Sequence, residues 1–254
     1  MFRKTVFVMN VPIDLIDWDQ AIKRLVSMGQ ARQSAVVCFC NVHMTVTANQ
    51  LKPLAHVLKH AELVTSDGAP VAWAIRRAGF QNQQRINGPD LMWRYLAQAE
   101  NLGHVVSFYG GSESTMSKLC DVIKHNFPRL KLGVTLCPPF RPLTKEEDAA
   151  DVAAINNAST NVVFVGLGCP KQEIWMGEHK GKVEATMVGV GAAFDYHAGT
   201  IKRAPLWMRN AGLEWFHRLS SEPRRLWKRY LVTNTVFIGN IAKNGFKATR
   251  VDEK

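Results

Sequence analysis

The stretch Asn161-Val162-Val163-Phe164-Val165-Gly166-Leu167-Gly168-Cys169-Pro170-Lys171-Gln172-Glu173 decides how this chain folds. Its first five residues form an apolar run of strand length, a glycine turn follows, Pro170 fixes the turn, and a helical pattern begins. Such a turn brings backbone N–H groups and a helix N-terminus up to where a phosphate can sit. Lys171 and Gln172 project from it as phosphate or sugar contacts, while an ordinary strand-to-helix turn has the same composition. It is not a dinucleotide fingerprint, because a third glycine is expected where Lys171 stands, and no GxxxxGK[ST] occurs anywhere.

Working outward, residues 35–39, 105–109 and 186–190 repeat the short apolar run, with helical patterns between them. The alternation predicts an α/β fold, a largely parallel sheet flanked by helices. Asp17 ahead of residues 18–28 and Ser112 ahead of 113–127 each offer a side-chain oxygen to a helix start, and Thr144 with Glu147 has capping-box spacing. Residues 1–9 read as a first strand that 10–14 cut off too early for a signal peptide. Pro128 and Cys137-Pro138-Pro139-Phe140-Arg141-Pro142 are breaks.

The chain has 254 residues, 46% of them hydrophobic, which is ample for a buried core. Its five cysteines, Cys38, Cys40, Cys120, Cys137 and Cys169, are scattered without a CxxC pair and read as reduced cytosolic thiols. No stretch approaches the roughly 20 apolar residues needed to span a bilayer. The expectation is a cytoplasmic protein, soluble or peripheral. The net charge of +11 is concentrated beyond residue 200, where 12 Lys and Arg face 4 Asp and Glu. That shift divides the chain into a core, 1–200, and a basic, Trp-rich helical appendage, 201–254.

Within the core, Thr65-Ser66-Asp67-Gly68 ends a short apolar segment in a carboxylate. Ligands bind at the carboxyl ends of parallel strands, so Asp67 stands at the mouth of a site and can take a proton from an attacking hydroxyl. Asp before Gly is also a common turn pair. Arg85, in Arg85-Ile86-Asn87-Gly88-Pro89-Asp90, can grip a phosphate oxygen bidentately or be an ordinary surface residue. Asp17-Trp18-Asp19 mimics a metal-holding DxD pair, but both carboxylates suit a helix start. His56 and His60 lack a third ligand, and no metal is expected.

Two helices fit the appendage, the second starting at Pro223. Arg225 and Arg229 share one of its faces, and Leu226, Tyr230 and Thr233 line another. Three readings stand: docking on an anionic membrane, a helical pair packed on the core, and nucleic-acid binding.

Taken together, in order, these segments resemble the WecG/TagA/CpsF family of bacterial glycosyltransferases, glycosyltransferase family 26. The likeness runs from Asn41 through Thr65-Ser66-Asp67-Gly68, Arg85 to Asp90, Gly110-Gly111, Pro138-Pro139-Phe140, Gly166 to Glu173, Gly191-Ala192-Ala193-Phe194-Asp195 and Arg203-Ala204-Pro205 to Gly212-Leu213-Glu214-Trp215, Arg218 and Glu222-Pro223-Arg224-Arg225. It implies a Rossmann-like core and an inverting, metal-independent, cofactor-free transferase. A UDP-sugar donor would pass N-acetylmannosamine, its uronic acid or glucose to a polyprenyl-diphosphate-linked sugar in cell-surface polysaccharide synthesis. The appendage would dock at the inner membrane face and complete the site. Nucleic acid would not be a partner, and a homo-oligomer is left open.

Carried over, Asp67 matches the general base, Arg85 and Gln172 match substrate-contacting positions, and Asn41 lies in the pocket motif beside Gly168 and Lys171 of the turn. Arg218, Arg225 and Arg229 fall where arginines bind the nucleotide diphosphate. The chain departs from the family at Phe39, where a threonine is usual, which leaves a pocket hydroxyl to be replaced, for instance by His43. The competing class is a Rossmann-type nucleotide- or NAD-binding enzyme, for which a complete glycine fingerprint is missing.

Overall fold

A computed structural model describes residues 3–244 and 250–252. In chain order the elements are β1 (Lys4–Val8), β2 (Val11–Asp14), α1 (Trp18–Gln30), β3 (Ala35–Cys40), α2 (Val42–Gln50), α3 (Lys52–His60), β4 (Leu63–Ser66), α4 (Ala69–Arg77), α5 (Gly88–Leu102), β5 (Val105–Gly110) and α6 (Glu113–Asn126). They continue as β6 (Lys131–Leu136), α7 (Lys145–Asn157), β7 (Val162–Gly166), α8 (Lys171–Glu178), β8 (Thr186–Gly189), α9 (Ala193–His197), α10 (Leu206–Asn210), α11 (Glu214–Ser221), α12 (Pro223–Asn244) and β9 (Arg250–Asp252).

The six strands β4-β3-β8-β7-β5-β6 form one wholly parallel sheet. In β7 the side chains alternate between two buried layers. Val163 and Val165 join the cluster built with α2, α3 and α8, whereas Val162 and Phe164 join the one built with α1, α5 and α6. Burial on both faces is why this strand reads as a continuous apolar run. At its end Gly166 lies so close to Phe194 that a Cβ would stand 2.6 Å from the ring, so only glycine lets α9 pack there. The capping expectations at Asp17, Ser112 and Thr144 are borne out, with N–H donors at 2.8, 3.2 and 3.2 Å.

Three strands escaped the sequence reading. Residues 11–14 do not merely end β1. They pair back on it antiparallel through a turn at Met9 and Asn10, both with positive φ. The buried Asp14 carboxylate accepts from Arg3 at 2.8 and 2.9 Å and from Val64 N–H at 2.7 Å, which fastens this hairpin to the β4 edge of the main sheet. β6 is the opposite edge and is only partly buried, so its residues lack the apolar run that betrays the inner strands. β9 pairs with β1, which returns the chain's last described residues to its N-terminal hairpin.

Among the described residues beyond 201 there are three helices where two were expected, α10 being a short extra one. α12 lies on α2 and buries Leu226, Thr233 and Phe237. These recur at helical spacing, and of the face anticipated from the sequence Leu226 and Thr233 are packed while Tyr230 is half-buried.

Candidate active site

The segments after β4, β3 and β7 leave the same edge of the parallel sheet and carry Asp67, Asn41, Gly168 and Gln172, at the carboxyl ends where such sheets form their ligand crevice. Asp67 follows β4. Its N–H donates to Cys40 O at 3.0 Å, and its own carbonyl accepts from Arg85 Nε at 2.5 Å. The backbone thus fixes the residue while its carboxylate lines a recess, 21% exposed. Burial pushes the carboxyl up to about 6, against the opposing pull of Arg85. A base of that strength is ionised at neutral pH yet holds a proton far better than a surface aspartate.

Arg85 is a hub rather than a surface residue. Nη1 donates to Arg209 O at 3.2 Å, Nη2 donates to Glu214 Oε2 at 2.5 Å, and Nη2 lies 3.7 Å from Asp67 Oδ1. Glu214 also accepts from Arg203 Nε at 3.2 Å, and Arg203 grips Asp90 at 2.5 and 3.1 Å. The sequence reading assigned no role to Arg203, Glu214 or Asp90, although all three lie in its quoted motifs.

Asn41 caps α2, its Oδ1 accepting from Met44 N–H at 3.0 Å. His43, two residues on, is pressed down to about 4 by burial and by the charge of Arg229, so it is neutral at physiological pH. Phe39 is buried and packs toward Gly88. Gly168 has φ of +80°, with open space where a side chain would be, and Lys171 is exposed at the start of α8.

Gln172 does not project from the turn. It points inward, is buried, and its Oε1 accepts from Gly168 N–H at 3.1 Å and Gly191 N–H at 3.0 Å. Its amide donates to Glu173 Oε1 at 2.6 Å. Glu173 is fully buried, its carboxyl pushed up to about 7 by burial, and Oε2 has no hydrogen-bond partner among the described residues.

The C-terminal helices bring cations over this crevice. Arg229 is close enough to bear on both His43 and Cys169, and the guanidinium of Arg218 lies 6.0 Å from the Tyr196 ring centre. The Nε atoms of Arg209, Arg218 and Arg229 are buried and lack a hydrogen-bond partner among the described residues. Buried donors left open in this way are rare in proteins and suit an anionic guest. The side chain of Arg225 lies outside the described residues.

Among the described residues no group of three or more His, Cys, Asp or Glu is placed to hold a metal. Asp17 caps α1, and the His56 and His60 rings lie 4.2 Å apart, tilted by 37°. Nor is any described helix long and apolar enough to cross a membrane.

A carboxylate whose proton affinity is raised, with arginine Nε donors open nearby, suits transfer of a group away from a diphosphate. Residues 6–251 match the model of the glycosyl transferase WecG/TagA/CpsF family. The chain belongs to that family. It is also similar to the N-acetylglucosaminyldiphosphoundecaprenol N-acetyl-beta-D-mannosaminyltransferase of Bacillus spizizenii, 31% identical over 202 residues, or 78% of this chain and 76% of the relative. The protein is therefore a glycosyltransferase of the hexosyl-transferring kind, and the dinucleotide-enzyme alternative falls away.

Proposed function

We propose that this transferase moves N-acetylmannosamine from UDP to the sugar of a polyprenyl-diphosphate-linked acceptor, by a single displacement with inversion and with Asp67 as general base. The acceptor hydroxyl loses its proton to Asp67 as its oxygen bonds to the anomeric carbon. The bond from that carbon to UDP breaks, and the leaving diphosphate carries off the electron pair. The observation that carries this reading is the pairing of a raised, recessed carboxyl with buried, unpartnered arginine donors across one crevice. The relative's name supports both the sugar and the acceptor, and its β product is what inversion of an α-linked donor gives.

In this scheme Arg218, Arg225 and Arg229 take the charge of the leaving diphosphate without needing a metal. Asn41, His43, Lys171 and the Gly168 turn shape the donor pocket. Residues 201–254 dock on an anionic membrane surface. Trp207, Phe216, Trp227, Leu231 and Ile238 are exposed there beside Arg224 and Lys228, a mixture that suits a lipid headgroup layer.

The test is product analysis with a short-chain lipid-diphosphate acceptor and a panel of UDP-sugars, using the full chain and Asp67→Asn. N-acetylmannosamine transfer that drops by about 100-fold or more in a folded Asp67→Asn supports the reading. Full turnover by that variant removes Asp67 from the chemistry, and transfer of a different sugar removes the donor assignment.

A further inference from the structure

One carboxylate of the C-terminal segment reaches the Asp67 recess. Glu214 opens α11, and its two oxygens are held between two cations, Arg85 Nη2 at 2.5 Å and Arg203 Nε at 3.2 Å. Arg203 is anchored in turn on Asp90, near the start of α5. The edge of Arg85 that Glu214 engages is the edge that faces Asp67 Oδ1 at 3.7 Å, beyond hydrogen-bond distance. Two carboxylates compete for one guanidinium edge, and the one on α11 holds it.

We infer that Glu214 is a positioning residue that draws Arg85 off Asp67, so that seating of the C-terminal segment leaves the Asp67 carboxylate free to accept a proton. This rests on Asp67 being the base. Without Glu214, Arg85 Nη2 can close to the roughly 2.8 Å of a charge-assisted hydrogen bond. A cation brought that close lowers a carboxyl's pKa, and removing the neighbouring negative charge of Glu214 lowers it further. Both changes make a weaker base.

The charged and titratable groups facing Asp67 are Arg85 from the loop ahead of α5, Asp90 in α5, Arg203 ahead of α10, Glu214 in α11 and the Cys40 thiol ending β3. Asp90 also bears on Asp67, but its described partners are Asn87, Arg203 and Arg209 rather than Arg85. Glu214 alone among these acidic groups both bears on Asp67 and accepts from the Arg85 guanidinium.

The experiment measures kcat and KM from acid to alkaline pH for the full chain, Glu214→Gln, Glu214→Asp and Asp67→Asn, with thermal melting as the check on folding. Ionised Asp67 is the active form, so kcat/KM rises with pH through about 6 in the parent protein. Glu214→Gln should move that acid limb to lower pH by on the order of one pH unit. On the alkaline plateau its kcat should fall by about threefold or more, with donor KM within about twofold, because the proton goes to a weaker base. Glu214→Asp keeps the charge and should shift the limb less. If Glu214→Gln does not fold, the smaller downward shift in Glu214→Asp is the readout. A limb that stays put, or moves upward, in the folded variants overturns the role of Glu214. An Asp67→Asn that still turns over overturns the base assignment instead. An inactive Asp67→Asn beside an unmoved Glu214→Gln limb overturns the positioning role alone.

Discussion

Replacing Gln172 by alanine should cost stability before it costs affinity. The carboxamide is the shared acceptor of two loops, taking the N–H of Gly168 after β7 and of Gly191 after β8, and it donates to Glu173. A buried donor left without a partner costs about 1–3 kcal/mol. Gly168 and Gly191 keep partial access to water, so the low end of that range, about 1–1.5 kcal/mol, applies to each, giving about 2–3 kcal/mol in all. At roughly 2–4 °C per kcal/mol for a chain of this size, Tm should fall by about 4–12 °C. Gln172→Leu keeps the volume and should lose nearly as much, which separates the hydrogen bonds from the packing. Calorimetric melting alongside kcat and donor KM reads both effects. If Gln172→Ala melts within about 1 °C of the parent while donor KM rises, the residue is a substrate contact and not a tie between loops.

Two further outcomes follow from the same site. Glu173 has a folded-state pKa of about 7, above its unfolded value, so the folded protein binds the extra proton and stability falls as pH rises from about 4.5 to 7. Glu173→Gln, a neutral isostere, should therefore raise Tm at pH 8 by an amount worth on the order of 2–3 kcal/mol and leave it unchanged near pH 4, where both proteins are neutral at this position. Arg229→Ala should lower kcat by about 100-fold, the usual loss for one preorganised donor, and weaken UDP binding measured by calorimetry. Unchanged values for both would make Arg229 a packing residue of α12.

Legibility followed burial. The inner strands announced themselves because both faces of β7, β3 and β8 are covered, so their side chains are apolar save Thr186, whose hydroxyl donates to Gln33 O. β6 sits at an exposed edge and β9 is three residues long, so neither carries that pattern. β2 was hidden by Asn10, whose positive φ makes a turn where composition suggested only an ending. Asp67, Arg85, Asn41 and Gly168 could be singled out from the sequence because short strand-to-loop segments keep their chemistry local. Glu214 and Arg203 were missed as actors because their partners lie more than 100 residues away.

The sequence by itself determined the parallel α/β layering, the helix caps, the concentration of positive charge beyond residue 200 and the family, since each rests on residue types at short, regular spacing. Tertiary structure alone decided the direction in which side chains act. It turned Gln172 inward to join two loops, made His43 neutral beneath Arg229, raised the Asp67 carboxyl in its recess, and set Glu214 against Arg85. The physical reason is that desolvation and charge pairing depend on distance in space, and the groups concerned are far apart in the chain, Glu214 and Arg229 being supplied by the C-terminal helices.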